Sequence, residues 1–328
     1  MSQAVSAPIR VGTRASVLAT TQSQLVADQI AERLGRPVRL VEISTEGDRS
    51  QAAGTPLAGG SSTGVFVSAL RDALLDGRVD VAVHSLKDLP TYPAEGIALV
   101  AIPGREDPRD VVVARDGLTL GELPVGSRVG TGSPRRAAQL HALGLGVEVA
   151  GLRGNVDTRI RKVRTGEYDA IVLARAGLAR IGRLDEATEV LDPLQMLPAP
   201  GQGALAVECR DDDDLAAQLR EALDDPRARA AVEAERAVLA TLEGGCSAPI
   251  GALAEVVEGE DGEELWVRAI ALSPDGGLSV RRSATGDPAD AAGVGDRLAQ
   301  EMLADGAADL DGSEHDPLDH SLDKVQNP

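Results

Sequence analysis

Residues 197–209, LPAPGQGALAVEC, decide the fold of this 328-residue chain. Two prolines and two glycines within residues 197–205 interrupt regular structure, and the apolar run at 206–209 predicts a strand. Because strands and helices alternate in two blocks before this segment, we expect strand 206–209 to return to the first block. Two α/β units joined by two such crossings have a hinged cleft between them, which suits ligand binding at strand ends.

The first block predicts a mostly parallel sheet. Its strands are expected at residues 8–12, 38–43, 79–83 and 97–102, and its helices at residues 17–34 and 65–75. Residues 51–63 are rich in Gly, Ser and Thr and show no periodicity, so we expect a mobile loop that acts as a lid.

The second block repeats the pattern, and a smaller α+β unit follows it. The second block's strands are expected at residues 111–114, 128–130, 147–149 and 170–173, with helices at 134–143, 156–164 and 177–181. Later helices are expected at residues 215–223, 227–242 and 289–303, with strands at 250–257, 265–272 and 278–284. The predicted division is domain 1 at 1–103 with 203–220, domain 2 at 104–202, domain 3 at 221–304, and a disordered acidic tail at 305–328.

Composition excludes several classes of protein. Hydrophobic residues make up 43% and charged residues 26%, which is ordinary for a soluble globular chain. One Trp, two Tyr and one Phe leave no row of aromatics on which single-stranded nucleic acid stacks. Two cysteines cannot form a disulfide framework, and no zinc-site spacing occurs. The start of the chain does not resemble a secretory signal, so we expect a cytoplasmic protein.

Charge is distributed unevenly along the chain. The net charge is −19, but the first 200 residues carry 23 basic and 23 acidic side chains. An acidic protein repels nucleic acid and anionic membranes. The neutral, arginine-rich first part can still hold a local site for carboxylates or phosphates, because guanidinium groups bind both in bidentate geometry.

The sequence HSLKDLP at 84–90 follows a predicted strand and places a hydroxyl, an amine and a carboxylate close together. They belong to Ser85, Lys87 and Asp88. A carboxylate at the mouth of a cleft can act in acid–base chemistry or stabilise a developing cation. An ordinary polar loop explains the same residues equally well at this point.

Cationic side chains also cluster in loops next to predicted helix starts. These residues, with two hydroxyl neighbours, are Arg14, Ser16, Ser133, Arg135, Arg136, Arg153, Arg159 and Arg180. Backbone N–H groups at helix starts add to side-chain donors, so each loop could take an anion. Surface ion pairing is the alternative explanation. Convergence of several such loops on one cleft would indicate a polyanionic ligand.

Cys246 lies in the glycine-rich segment LEGGCSAPI at 242–250. A thiol on such a loop can be a nucleophile or a covalent attachment point, or it can be a buried small hydrophobe or an incidental thiol. Cys209 ends an apolar strand and is expected to be inert packing. A Cys–His hydrolase is a further alternative, for which His84 is the one histidine in a suitable place.

Taken together, these residues resemble porphobilinogen deaminase, also called hydroxymethylbilane synthase. The motifs that carry the resemblance, in family order, are VGTRAS (11–16), VHSLKDLP (83–90), GTGSPRR (130–136), LRGNVDTR (152–159), GEYDAIVLARAGLAR (166–180), PAPGQGALAVECR (198–210) and LEGGCSAPIGA (242–252). The resemblance implies two α/β domains like those of periplasmic binding proteins around a hinged cleft, plus a small C-terminal α+β domain. It implies a monomeric transferase of tetrapyrrole biosynthesis that needs no metal.

The resemblance also implies roles for individual residues. Cys246 would hold a dipyrromethane cofactor through a thioether, and Asp88 would be the catalytic residue in the head-to-tail condensation of four porphobilinogen molecules with loss of ammonia. The residues implied to contact the cofactor are Ser85, Lys87, Asp88, Thr131, Ser133, Arg135, Arg136, Arg153 and Gly154. Those implied to contact the substrate are Arg14, Ser16, Phe66, Arg153, Arg159 and Arg180.

One departure from the family pattern concerns the lid. Many members have lysines where this chain has Thr63 and Ser68, so contacts from lid amines are not expected here, although Phe66 keeps its place. The main rival function is a two-lobed binding module, because the same hinged fold serves proteins that only bind. The intact mass separates the two, since two extra pyrrole units would indicate the enzyme.

Overall fold

The computed structural model describes residues 7–43, 62–212, 214–243, 249–260 and 262–311, without the side chains of 62–66 and 311. The strands are β1 (Ile9–Thr13), β2 (Val38–Glu42), β3 (Val81–Ser85), β4 (Ile97–Ala101), β5 (Asp110–Ala114), β6 (Arg128–Thr131), β7 (Glu148–Gly151), β8 (Ala170–Ala174), β9 (Glu189–Val190), β10 (Leu205–Arg210), β11 (Ile250–Gly259), β12 (Gly262–Leu272) and β13 (Ser279–Gly286). The α-helices are α1 (Val17–Leu34), α2 (Ser62–Leu75), α3 (Pro134–Ala142), α4 (Val156–Arg164), α5 (Arg175–Arg180), α6 (Leu215–Leu223), α7 (Pro226–Glu243) and α8 (Ala291–Ala304).

The first sheet has the strand order β2-β1-β3-β10-β4. β1 runs parallel to β2 and β3, whereas β10 runs antiparallel to both of its neighbours. β10 is the strand that follows the Pro/Gly segment, so the predicted return of the chain to the first sheet is confirmed. Helix α1 begins where the Ser16 hydroxyl accepts a bond from the Ala19 N–H, and ends at Gly35 in the left-handed conformation.

The second sheet has the order β7-β6-β8-β5-β9. β6 is parallel to β7 and β8, and β5 is antiparallel to β8 and β9. Each sheet therefore has one strand reversed against its parallel neighbours, and that strand adjoins a crossing. The first crossing segment is residues 102–109, between β4 and β5, and the second is residues 191–204, between β9 and β10.

The third sheet is the antiparallel meander β11-β12-β13. One of its faces packs on α7 and α8 through a core rich in alanine and branched aliphatics, which includes Val238, Leu265 and Leu298. The other face contacts the second unit, because Leu253 and Ile270 pack against Ala138 of α3 and Leu197 of the second crossing segment. The predicted α/β fold with a small C-terminal α+β part is confirmed.

Three predicted boundaries change. Helix α2 begins at Ser62, before the predicted start. A division at 220/221 would cut α6, whose Leu215, Leu219 and Leu223 all lie in the core of the first sheet, so we propose the boundary between α6 and α7. The prediction of disorder from residue 305 is wrong for residues 305–311, because Ala307 and Leu310 are buried in the core of the third unit. Residues 312–328 lie outside the described residues.

No helix in the described ranges is long and apolar enough to cross a membrane.

Candidate functional site

A cavity of about 320 Å³ opens between the first two sheets. It is lined by the ends of β1 and β3, the first turns of α1, helix α5 and the second crossing segment. Its charged and hydroxyl lining residues are Arg14, Ser16, His84, Ser85, Lys87, Asp88, Arg159 and Arg180. Seven of these eight are sequence-predicted site residues, and His84 is the eighth.

In the HSLKDLP segment, one short turn determines the positions of the side chains. β3 ends at Ser85, and residues Leu86–Asp88 form a single 3₁₀ turn. Leu86 is fully buried, and its N–H donates to the Ala204 carbonyl over 3.0 Å. This anchor leaves Asp88 exposed at the cavity wall and Lys87 half-buried. Among the described residues that line this cavity, Asp88 is the one carboxylate.

A second cavity of about 270 Å³ adjoins the first and shares four of its polar lining residues, Arg14, Ser16, Lys87 and Arg159. It adds Arg136 of α3 and Gly154 of the loop before α4, both in the second unit. In the described part of the chain, four cationic side chains thus line it against one carboxylate, that of Asp157. A cavity with this balance suits a ligand that carries several negative charges.

Two of the cavity arginines are held by backbone carbonyls. Arg159 Nε donates to the Gly154 oxygen over 2.7 Å, and Arg180 Nη2 donates to the Gly203 oxygen over 2.6 Å. Burial lowers the pKa of both guanidinium groups from their ordinary values. Both pairs use one donor of the five on each guanidinium, so donors are left for a ligand.

Behind the second cavity lies a buried charge cluster. Arg135 Nη2 and Arg136 Nη2 each donate to one oxygen of Asp110 over 2.8 Å. Arg135 Nη1 also donates to the Leu197 carbonyl. Burial alone raises the pKa of the Asp110 carboxyl, but the charges of Arg135 and Arg136 outweigh it and hold that pKa well below its usual range.

The two arginines of this cluster have different positions, although the sequence analysis predicted both as cofactor contacts. Both side chains are almost fully buried, but Arg136 lines the second cavity and Arg135 lines neither cavity. Its contacts with Asp110 and Leu197 tie α3 to β5 and the second crossing segment. We therefore assign Arg135 a structural role and keep Arg136 as a candidate ligand contact.

The remaining predicted cofactor contacts lie beside the cavities and not in their walls. Thr131 is buried and its hydroxyl accepts from the Ser133 N–H over 3.1 Å, while the Ser133 hydroxyl caps α3. Arg153 is exposed in the loop that precedes α4, next to Gly154. Their contact with a ligand stays a prediction.

Cys246 lies outside the described residues, and Phe66 and Thr63 belong to α2 but their side chains are not described. Residues 244–248 are outside the described residues, as are residues 51–61 of the predicted lid and the side chains of Phe66 and Thr63. The cysteine in the described part of the chain is Cys209, which is buried as expected. The same described residues contain no cluster of three or more His, Cys, Asp or Glu side chains that could hold a metal.

Sequence reasoning missed two polar residues of the site. Asp110 opens β5 and binds both arginines of TGSPRR, and Gln202 in the second crossing segment lines the first cavity. For Gln202 a signal existed, because it is a single polar side chain between two glycines in a segment already identified as the crossing. Asp110 gave none, since its partners lie 25 and 26 residues away in the chain.

Comparison with known families agrees with this geometry. The family model "Porphobilinogen deaminase, dipyromethane cofactor binding domain" matches residues 9–218, and "Porphobilinogen deaminase, C-terminal domain" matches residues 229–304. Porphobilinogen deaminase of Mycobacterium avium (strain 104) is 57% identical over 315 residues, which cover 94% of this chain and 98% of that protein. The Mycobacterium tuberculosis (strain H37Rv) protein of the same name is 58% identical over 307 residues, covering 92% and 98%.

Solved structures with a similar chain trace include a periplasmic substrate-binding protein of an ABC transporter from Coxiella burnetii. Its TM-score is 0.41 at 16% identity, covering 66% of this chain and 92% of that one. An ancestral cationic amino acid solute-binding protein gives a TM-score of 0.41 at 18% identity, covering 65% and 87%. Similarity at this level carries no argument about function.

Proposed function

The chain belongs to the porphobilinogen deaminase family, whose members are transferases that polymerise porphobilinogen on a dipyrromethane cofactor. From this premise we propose which residues of the cleft bind the pyrrole chain and which take part in the reaction during hydroxymethylbilane synthesis. The first cavity is the place of reaction around Asp88, and the second cavity holds carboxylates of the pyrrole chain.

Charge and space support the second cavity as a cofactor site. Each pyrrole ring carries two carboxylates, and Arg14, Lys87, Arg136 and Arg159 provide four cations in the lining of this cavity. Gly154 also lines this cavity, at a position that requires glycine, because its φ is +115° and a Cβ there would lie 2.9 Å from Thr158 Cγ2. These residues fit a dipyrromethane. When bound, that group supplies the pyrrole chain to which each new ring is joined.

Asp88 is proposed as the catalytic residue. Porphobilinogen leaves a cation when its aminomethyl nitrogen departs as ammonia, and a fixed carboxylate beside that cation lowers the energy of the transition state. Asp88 is the carboxylate on the wall of the first cavity, and four cations there, Arg14, Lys87, Arg159 and Arg180, can bind the acetate and propionate groups. The arginines orient the substrate, while Asp88 faces the positive charge and accepts a proton.

The observation that carries the proposal is the isolation of Asp88 among cations in the first cavity. Replacing Asp88 by Asn removes the charge at nearly constant shape, so turnover should fall by about 100-fold or more while the cleft keeps its fold. Asp76→Asn is a matched control, because Asp76 is exposed, pairs with Arg78 and lines neither cavity. The control should change turnover less than about threefold.

The readouts are turnover of porphobilinogen and the melting temperature of both variants. An Asp88→Asn enzyme with near-normal turnover would remove Asp88 from the catalytic role. Equal losses in the two variants would show that the general loss of a negative charge, and not the loss of a positioned carboxylate, lowers turnover.

Three further expectations stay predictions: the covalent cofactor at Cys246, a monomeric state without nucleic-acid partners, and a cytoplasmic location. The alternative that the sequence left open was a binding module. Family membership favours the enzyme, and an intact mass equal to that of the bare 33.9 kDa polypeptide would count against it.

A further inference from the structure

Gln202 lies where the two crossing segments and the two sheets meet. Its side chain is 1% exposed, and its carboxamide contacts four other residues. Nε2 donates to the Pro108 carbonyl and to Asp110 Oδ1, both over 2.7 Å. Oε1 accepts from Lys87 Nζ over 3.2 Å and from Arg136 Nη2 over 3.4 Å.

These contacts fix which way the amide points. Pro108 O and Asp110 Oδ1 are acceptors, so the NH₂ group must face them and the oxygen must face the two cations. The reverse orientation would place an amide oxygen against a carboxylate and two NH donors against an ammonium and a guanidinium. The carboxamide therefore links Lys87 beside β3 to the buried Asp110–Arg136 pair of the second sheet.

The main chain of Gln202 is held as firmly as its side chain. Arg105 Nε donates to the Gln202 carbonyl over 2.9 Å. Gly201 and Gly203 on either side have φ values of +73° and +88°, and a Cβ on Gly203 would lie 2.3 Å from the Glu106 carbonyl oxygen. Only glycine allows the two crossing segments to approach this closely, so Gln202 cannot follow Lys87 without moving both segments.

We propose that Gln202 is a positioning residue for the reaction, whose carboxamide holds the Lys87 ammonium at the junction of the two cavities and fixes it relative to the crossing segments. This inference rests on the proposed role of Lys87 as a ligand contact. It adds that the position and the charge of Lys87 depend on Gln202, which lies in the second crossing segment and not in the HSLKDLP segment.

Lys87 is sensitive to such support because its surroundings disfavour its charge. Burial, and then the Arg136 charge, lower the pKa of the ammonium to about 8, and Arg135 acts in the same direction. Asp88 and Asp110 oppose them. A neutral acceptor that bonds the charged form stabilises it, so loss of the Gln202 oxygen should lower the pKa further.

The composition of the chain makes a direct test possible. Only three lysines occur, Lys87, Lys162 and Lys324. Holoenzyme labelled with ¹³C at lysine Cε gives three NMR signals, and Lys162→Arg with Lys324→Arg leaves the Lys87 signal alone. Its chemical shift against pH reports the protonation of Lys87 without any reagent that must enter the cleft.

Two variants should move the Lys87 midpoint in opposite directions. Gln202→Met keeps the length of the side chain but removes the acceptor, and the midpoint should fall by about one pH unit. Gln202→Glu offers an anionic oxygen, and the midpoint should rise by about one unit or more. Because the expected shifts of the Lys87 midpoint have opposite signs, either variant alone tests the proposal if the other fails to fold.

Gln139→Met is the matched control. Gln139 is 2% exposed and bonds the Leu197 main chain in the same crossing segment, but it makes no bond to Lys87. Its replacement should lower the melting temperature and leave the Lys87 midpoint in place. The alkaline limb of kcat/KM should shift with the Lys87 midpoint in the Gln202 variants and not in the control.

Three outcomes are informative. The proposal is supported if the Lys87 midpoint shifts in opposite directions in the two Gln202 variants and the alkaline limb of kcat/KM shifts with it. An unchanged Lys87 midpoint in a folded Gln202 variant overturns it and leaves the role of Asp88 untouched. A shifted midpoint with an unshifted pH profile also overturns it, because Lys87 would then not serve the reaction, and the cofactor assignment of Lys87 would fall with it.

Discussion

Arg105 and Glu235 form a buried ion pair with two parallel hydrogen bonds, Nη1 to Oε1 over 2.7 Å and Nη2 to Oε2 over 3.0 Å. Arg105 lies in the first crossing segment and Glu235 on α7. The same carboxylate accepts from the Gly201 N–H over 2.6 Å and from the Ala254 N–H over 2.7 Å. One fully buried side chain thus ties both crossing segments to the third sheet.

Glu235→Gln should destabilise the protein strongly. The substitution leaves the Arg105 charge buried without its counter-charge, which typically costs about 3–5 kcal/mol of unfolding free energy. Chemical denaturation measures the loss. Glu258→Gln is the control, because Glu258 pairs with Arg227 at the surface and should cost at most about 1 kcal/mol. Similar losses for the two variants would refute the role of Glu235.

Glu208 should make a measurable contribution to stability in acid. Burial alone raises the pKa of its carboxyl, but hydrogen bonds from His84 and Arg71 outweigh it and lower that pKa to about 2, from an ordinary value of 4.5. The unfolded chain therefore binds a proton at higher pH than the folded chain does. The contribution, about 3 kcal/mol, is present above pH 4.5 and is lost as the pH falls toward 2.

The measurement compares the unfolding free energy of the wild type and of Glu208→Gln between pH 6 and pH 2. The variant should be less stable at pH 6, and the difference should shrink by about 3 kcal/mol at the acid end. A difference that is constant with pH would mean that Glu208 is not ionised in the folded protein.

Cys246→Ser and Cys209→Ser form a matched pair for the cofactor. Only Cys246 lies in the glycine-rich segment of the family motif, and Cys209 is buried on β10 among aliphatic side chains. We expect folded Cys246→Ser protein with the mass of the bare polypeptide, and Cys209→Ser protein with two pyrrole units more. Intact mass spectrometry decides, and a cofactor retained on the Cys246→Ser protein would refute the attachment site.

The end of the chain can be shortened, but not to residue 306. A chain that ends at Gly306 loses Ala307 and Leu310, which are buried in the core of the third unit, and should lose about 1.5–3 kcal/mol for the leucine alone. A chain that ends at Asp311 should melt like the full protein, because the residues beyond it have no apolar pattern. Equal melting temperatures for the two truncated chains would contradict this expectation.

Arg136→Leu and Arg180→Leu should stall the enzyme at different stages. Arg136 lines only the second cavity and Arg180 only the first. A charge-assisted bond of about 1.5–3 kcal/mol suffices to stall one step without abolishing earlier ones. We expect Arg136→Leu to block cofactor assembly, and Arg180→Leu to carry a cofactor and accumulate partly elongated enzyme. Mass spectra after brief exposure to porphobilinogen show this, and identical ladders would refute it.

Much of the local structure was determined by the sequence alone. The bounds of α1, α4 and α6 follow from apolar periodicity, helped in α1 by the Ser16 cap and the Gly35 stop. The return of β10 to the first sheet followed from the Pro/Gly segment before it. These features depend on neighbours a few residues apart, so the spacing of residue types suffices to predict them.

The fate of the individual charges was decided only by the tertiary structure. Arg135 and Arg136 are consecutive and identical in type, and Asp110 on β5 binds both. Only Arg136 also lines a cavity, because α3 turns that side chain and not Arg135 toward the cleft. The tertiary structure likewise determines the roles of Gln202, Glu235 and Leu310. Burial and pairing join residues tens to more than a hundred positions apart, and no local pattern records which distant partner a side chain will meet.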